Sequence, residues 1–76
     1  MSYASGDWDG PLAASGLSVH DLWLAYLALG GDASPVELDG YLRHHAAPSR
    51  SEHNVLAQAL NERLHDLGYD WPVPYR

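Results

Sequence analysis

The sequence predicts an all-α protein: a compact three-helix domain with a helix-turn-helix-like tri-helical core, an irregular N-terminal arm and an extended Pro/aromatic C-terminal tail. Three observations predict it. Ser18, Ser34 and Ser49 each precede an acidic residue by three positions (Asp21, Glu37, Glu52), the spacing at which a hydroxyl caps a helix start. Behind each cap, apolar residues recur at i, i+3 and i+4 intervals, the period of an amphipathic helix. The connections between these segments are short and marked by Gly or Pro, as in small helical domains.

Residues 1–16 hold Gly6, Gly10, Pro11 and Gly16 among small polar residues, with Asp-Gly and Gly-Pro turn dipeptides and no sustained period. They are read as a flexible arm, and 17–76 as the domain. Trp8 and Leu12 are expected to dock onto the helices, with a short recognition motif as the alternative.

The first helix starts after Ser18 and ends at Gly30-Gly31, where a positive φ carries no Cβ penalty. Val19, Leu22, Trp23, Tyr26 and Leu27 form its broad inner face. Its back carries Asp21, Leu24, Ala25 and Ala28, mainly small and apolar rather than charged, and Leu24 with Ala28 forms a candidate self-association face. The second helix has Pro35 at the N1 position that proline favours. Its inner face is read as Leu38, Tyr41, Leu42 and His45, closed by Ala46-Ala47-Pro48. The third runs from Ser49 to Gly68 with Leu56, Leu60, Leu64 and Leu67 as its buried stripe, and Tyr69 follows as a Schellman ending requires. The tail from Asp70 to Arg76 alternates Pro72 and Pro74 with Trp71, Val73 and Tyr75. Its prolines exclude a continuing helix, and it is too apolar to hang free.

The chain has 76 residues, one domain with a marginal core, since about 60% of the unfolded surface is buried at this size. With no Cys there is neither disulfide nor thiolate metal site. The acidic, polar start does not read as a signal peptide, and no apolar run approaches the ~20 residues of a membrane span. A cytoplasmic protein with no membrane association is expected. Ten acidic residues against four arginines and no lysine give a formal net charge of −6, which repels nucleic acid and anionic lipid.

Arg50, Asn54, Gln58, Asn61 and His65 fall on one stripe of the third helix, opposite the leucines. Such amides and guanidinium groups can read adenine and guanine in a major groove. The basic footprint that drives DNA affinity is missing, and a solvated polar face or a protein contact explains the stripe as well. His44 and His45 point to different faces, and Glu62-Arg63-Leu64-His65 is a lone E-x-x-H, so no metal site is expected. His53 and His45 read as packed rings with one satisfied nitrogen. Scattered acids, no phosphate loop and the small size argue against an enzyme or a cofactor. Tyr3, Trp8, Tyr69, Trp71 and Tyr75 place aromatic residues in the two terminal segments, a composition typical of binding surfaces, with closure of the ends of a small core as the alternative.

Asp21–Gly31, Ser34–Leu38 and Glu52–Leu64 together resemble short all-helical proteins of actinobacteria that lack an assigned activity, over roughly residues 17–75. The resemblance implies a helical fold and a GC-rich coding origin, and it carries no functional residue. The expectation is a non-enzymatic protein-interaction or regulatory module. Its contact surface combines Tyr69, Trp71 and Tyr75 with Arg50, Asn54, Gln58, Asn61 and His65. The alternatives are a helix-turn-helix DNA regulator using the third helix, and a homodimer on Leu24 and Ala28.

Overall fold

A computed structural model describes residues 8–70 and 73–76 of the chain. These residues form four helices: α1 (Asp9–Ser15), α2 (Val19–Ala28), α3 (Pro35–Leu42) and α4 (Arg50–Asp66). The main packing pairs are α1 with α4, α2 with α4, and α2 with α3.

Three starts are where the caps place them. The hydroxyls of Ser18, Ser34 and Ser49 accept from the backbone N–H groups of Asp21, Glu37 and Glu52. At α3 the reciprocal bond is also made, Ser34 N–H donating to Glu37 Oε1 at 3.0 Å. The ends of α2 and α4 are Schellman turns, with Gly30 and Gly68 left-handed at φ 95° and 88°. Their closing bonds run from Gly31 N–H to Tyr26 O (3.0 Å) and from Tyr69 N–H to Leu64 O (2.9 Å).

The second predicted helix is shorter than expected. It ends at Leu42, because His44 takes the left-handed position at φ 62° and His45 N–H donates back to Gly40 O at 2.9 Å. His45 therefore lies beyond the helix and is exposed, not on its inner face. Apolar periodicity continues through this point; the turn is decided by a backbone conformation that His rarely adopts.

The expected irregular arm contains a helix, α1. Gly10 and Pro11 are first-turn residues, where a missing N–H removes no intrahelical bond. The helix has seven residues, too few to show a period, and its support is tertiary. Trp8 is 1% exposed, and Pro11 and Ser15 are buried. The Ser15 hydroxyl donates to Leu12 O (2.6 Å) and accepts from Leu17 N–H (3.1 Å), while Arg63 Nε of α4 donates to Ser15 O (3.1 Å). Docking of Trp8 is thus the outcome of the two readings of the arm. Residues 1–7 lie outside the described residues.

The core joins Trp8, Leu22, Tyr26, Ala33, Leu38, Leu42, Leu56, Ala57, Ala59, Leu60, Leu64 and Val73. Helix α4 supplies Leu56, Ala57, Ala59, Leu60 and Leu64 and is the helix that α1 and α2 share. Leu27, expected on the inner face of α2, is instead 37% exposed, and Leu67 at the end of the leucine stripe is 47% exposed. No helix among the described residues is long and apolar enough to cross a membrane.

Candidate functional site

The polar stripe of α4 is where the C-terminal tail lies. Asn61 Nδ2 donates to Val73 O at 3.1 Å, and Asn61 Oδ1 accepts from Val73 N–H at 2.5 Å. Two turns earlier, Asn54 repeats the arrangement on Arg76, Nδ2 to O at 3.0 Å and N–H to Oδ1 at 2.8 Å. A side-chain amide carries the same donor and acceptor pair as a peptide unit, so each Asn pairs with a backbone residue as a neighbouring strand would. The spacing fits both partners. Seven helical residues rise about 10.5 Å, and three extended residues cover about 10 Å. Val73 sits at Asn61 and Arg76 at Asn54, so the tail runs antiparallel to α4.

His53 adds the link between these two clamps. It is 1% exposed, its Nε2–H donates to Pro74 O at 2.9 Å, and its ring tilts against Trp8 with centroids 4.8 Å apart. Because a carbonyl oxygen can only accept, that bond requires a proton on Nε2. Nδ1 is buried without a hydrogen-bond partner among the described residues. One imidazole therefore ties the start of α1 and the end of the chain to the same turn of α4. The expectation of a packed His53 with one satisfied nitrogen holds, with burial deeper than expected.

The predicted contact residues divide. Asn54 and Asn61 hold the tail, whereas Arg50, Gln58 and His65 are exposed, and Gln58 Nε2 donates to Glu62 Oε2 at 3.2 Å. Val73 is 2% exposed and part of the core, while Tyr75 is 56% exposed and Tyr69 39%. The stripe and the tail, expected as parts of one surface, are brought together. Trp71 lies outside the described residues. On α2, Leu24 is 48% exposed, and Ala28 is exposed beside it.

A second polar knot was not anticipated. The hydroxyl of Tyr26, a fully buried residue, donates to Glu52 Oε2 and accepts from the N–H groups of Asp32 (3.0 Å) and Ala33 (2.8 Å). Trp23 Nε1 donates to Ala33 O at 3.0 Å, so α2 holds the loop into α3 from two side chains. Glu52 thus directs its carboxylate to Tyr26 across the fold. Gly31 lies against the ring of Tyr26, where a Cβ would overlap it. The sequence offered one signal, a tyrosine on an inner face whose hydroxyl must find a partner when buried.

Among the described residues no group of three or more His, Cys, Asp or Glu side chains converges to hold a metal ion. Comparison of the chain with protein-family models, curated proteins and solved structures finds no match.

Proposed function

We propose that the chain is a non-enzymatic protein-interaction or regulatory module of the cytoplasm, with its contact surface on the tail laid along α4. The observation that carries this reading is the presentation of Tyr75. It is 56% exposed, yet its neighbours on both sides are held, Pro74 by His53 and Arg76 by Asn54. An aromatic side chain on an immobilised backbone loses little further entropy on binding, which is what an interface anchor requires. Exposed Arg50, Gln58 and His65 on the same helix would form the polar rim.

The DNA-reading alternative draws little from the geometry. The amides of Asn54 and Asn61 are already paired with the tail, and the net charge is −6. The test is capture from a lysate of a GC-rich bacterium, with and without nuclease, using the wild-type chain and Tyr75→Ala. Nuclease-resistant recovery of one protein, reduced at least tenfold by Tyr75→Ala, is the expected result. Recovery that depends on nucleic acid, or that is indifferent to Tyr75, overturns the reading.

A further inference from the structure

We propose that the surface centred on Tyr75 receives an extended acidic peptide segment of a partner protein, which pairs with the main chain of Tyr75 and sets carboxylates on Arg50 and Arg76. This rests on the reading of Tyr75 as the interface anchor, and it names the chemistry of the partner.

The main chain supplies the first argument. Val73 and Arg76 each give an N–H and a C=O to an Asn of α4, and Pro74 gives its C=O to His53. Tyr75, between Pro74 and Arg76, has neither its N–H nor its C=O bonded among the described residues. An exposed residue on a backbone fixed from both sides therefore keeps one donor and one acceptor unused. A peptide laid beside the tail fills both, as a neighbouring strand does. Strand addition of this kind draws affinity from main-chain bonds and leaves selectivity to the side chains around them.

Those side chains are cationic. Asn54, which holds Arg76, lies one turn after Arg50, about 6 Å along the axis of α4. Two of the four arginines of an acidic chain thus meet at the place where Tyr75 is presented. Both are exposed, and neither guanidinium has a partner among the described residues. The other two are engaged, Arg43 with Asp39 at 2.9 Å and Arg63 with Ser15 O. Residues 40–51 contain no Asp or Glu, and the next acid, Glu52, turns its carboxylate inward to Tyr26. The acids of α4 that face solvent, Glu62 and Asp66, lie at its other end. A guanidinium takes a carboxylate through two parallel N–H bonds, which makes an Asp- or Glu-bearing segment the complement of this surface.

A nucleic acid fits the same surface less well. Phosphates accept hydrogen bonds and donate none, so they leave the Tyr75 C=O unsatisfied. Their continuous charge also runs against Glu62 and Asp66. The net charge of −6 opposes any anionic partner at long range, but that field is screened over about 8 Å at physiological salt, and the guanidinium contacts act at hydrogen-bond distance.

The test pans a phage-displayed library of random short peptides on the immobilised full-length chain, then titrates the selected peptides, made synthetically. The expected peptides are enriched in Asp and Glu. Their binding should weaken at least about tenfold in Tyr75→Ala and about fivefold in each of Arg50→Glu and Arg76→Glu. Far-UV circular dichroism checks that each variant folds. A peptide with its acids replaced by Lys should bind the double reversal Arg50→Glu/Arg76→Glu better than it binds the wild-type chain. A bound acidic peptide should also slow hydrogen exchange at the Tyr75 amide at least about tenfold. Selected peptides that need Tyr75 but carry no acids, or that ignore both reversals, overturn the proposal and leave the interaction-module reading standing. Acidic peptides that bind while the Tyr75 amide exchanges as in the free chain overturn the main-chain pairing. Binding indifferent to Tyr75 overturns both readings, as does a library from which nothing is retained. Retention of a single-stranded or duplex oligonucleotide through Arg50 and Arg76, with no acidic peptide selected, overturns the proposal in favour of nucleic acid.

Discussion

Removing one oxygen atom, in Tyr26→Phe, is expected to be among the most damaging conservative changes available to this chain. The hydroxyl makes three hydrogen bonds, one to the Glu52 carboxylate and two from the N–H groups of Asp32 and Ala33. A bond to a charged partner contributes about 1.5–3 kcal/mol and a neutral one about 0.5–1.5. The Ala33 N–H, in a residue only 6% exposed, also loses the oxygen to which it donates. Relaxation toward water at the more exposed Asp32 recovers part of the loss, so the net cost is set at about 2–4 kcal/mol. A chain of 76 residues has a total stability of about 4–11 kcal/mol, so this one atom carries a large fraction of it. The assay is urea unfolding followed by far-UV circular dichroism, with the slope m required to stay constant. Glu52→Ala serves as the internal comparison. It removes the carboxylate but leaves the hydroxyl accepting both N–H groups, and should cost about half as much as Tyr26→Phe. A Tyr26→Phe chain within about 0.5 kcal/mol of wild type refutes the reasoning, as does a larger loss in Glu52→Ala.

The remaining predictions concern backbone and tail. Gly31→Ala places a methyl group inside the Tyr26 ring and should destabilise by about 1–3 kcal/mol, read as a lowered thermal midpoint, though Gly31 has no positive φ. His44→Gly relieves a left-handed non-glycine residue and should stabilise by about 1 kcal/mol, raising the midpoint by about 4–8 °C. Ser34→Ala, which dismantles the complete capping box of α3, should cost about 1 kcal/mol in the same thermal scan. Asn61→Ala should accelerate hydrogen exchange at the Val73 amide at least tenfold, while Asn54→Ala acts mainly on the Arg76 amide.

Chemistry within a few residues was legible in the sequence. Ser18, Ser34 and Ser49 announce their helices because a hydroxyl three positions from an N–H closes a bond that needs no other part of the fold. Gly30 and Gly68 announce the ends because the left-handed turn is local too. Helix α1 was not legible, since its residues favour turns and its stability comes from Trp8 and Ser15 packing on α4. The end of α3 was missed for the converse reason: His44 adopts a conformation that local preference disfavours.

The same division runs through the candidate site. The sequence by itself determined the residues: a polar stripe on the long helix, aromatic and apolar groups in the tail, and a tail unable to be helical. It could not decide whether Asn54 and Asn61 face solvent or a ligand, because an amide satisfies itself equally well with water, a base edge or a peptide. Tertiary structure alone decided that, by reversing the chain at Gly68 and bringing residues 73 and 76 into register with amides two helical turns apart. Likewise Glu52 was marked by its position as a local capping partner, and the fold turned it to Tyr26, whose buried hydroxyl has the stronger need for an acceptor.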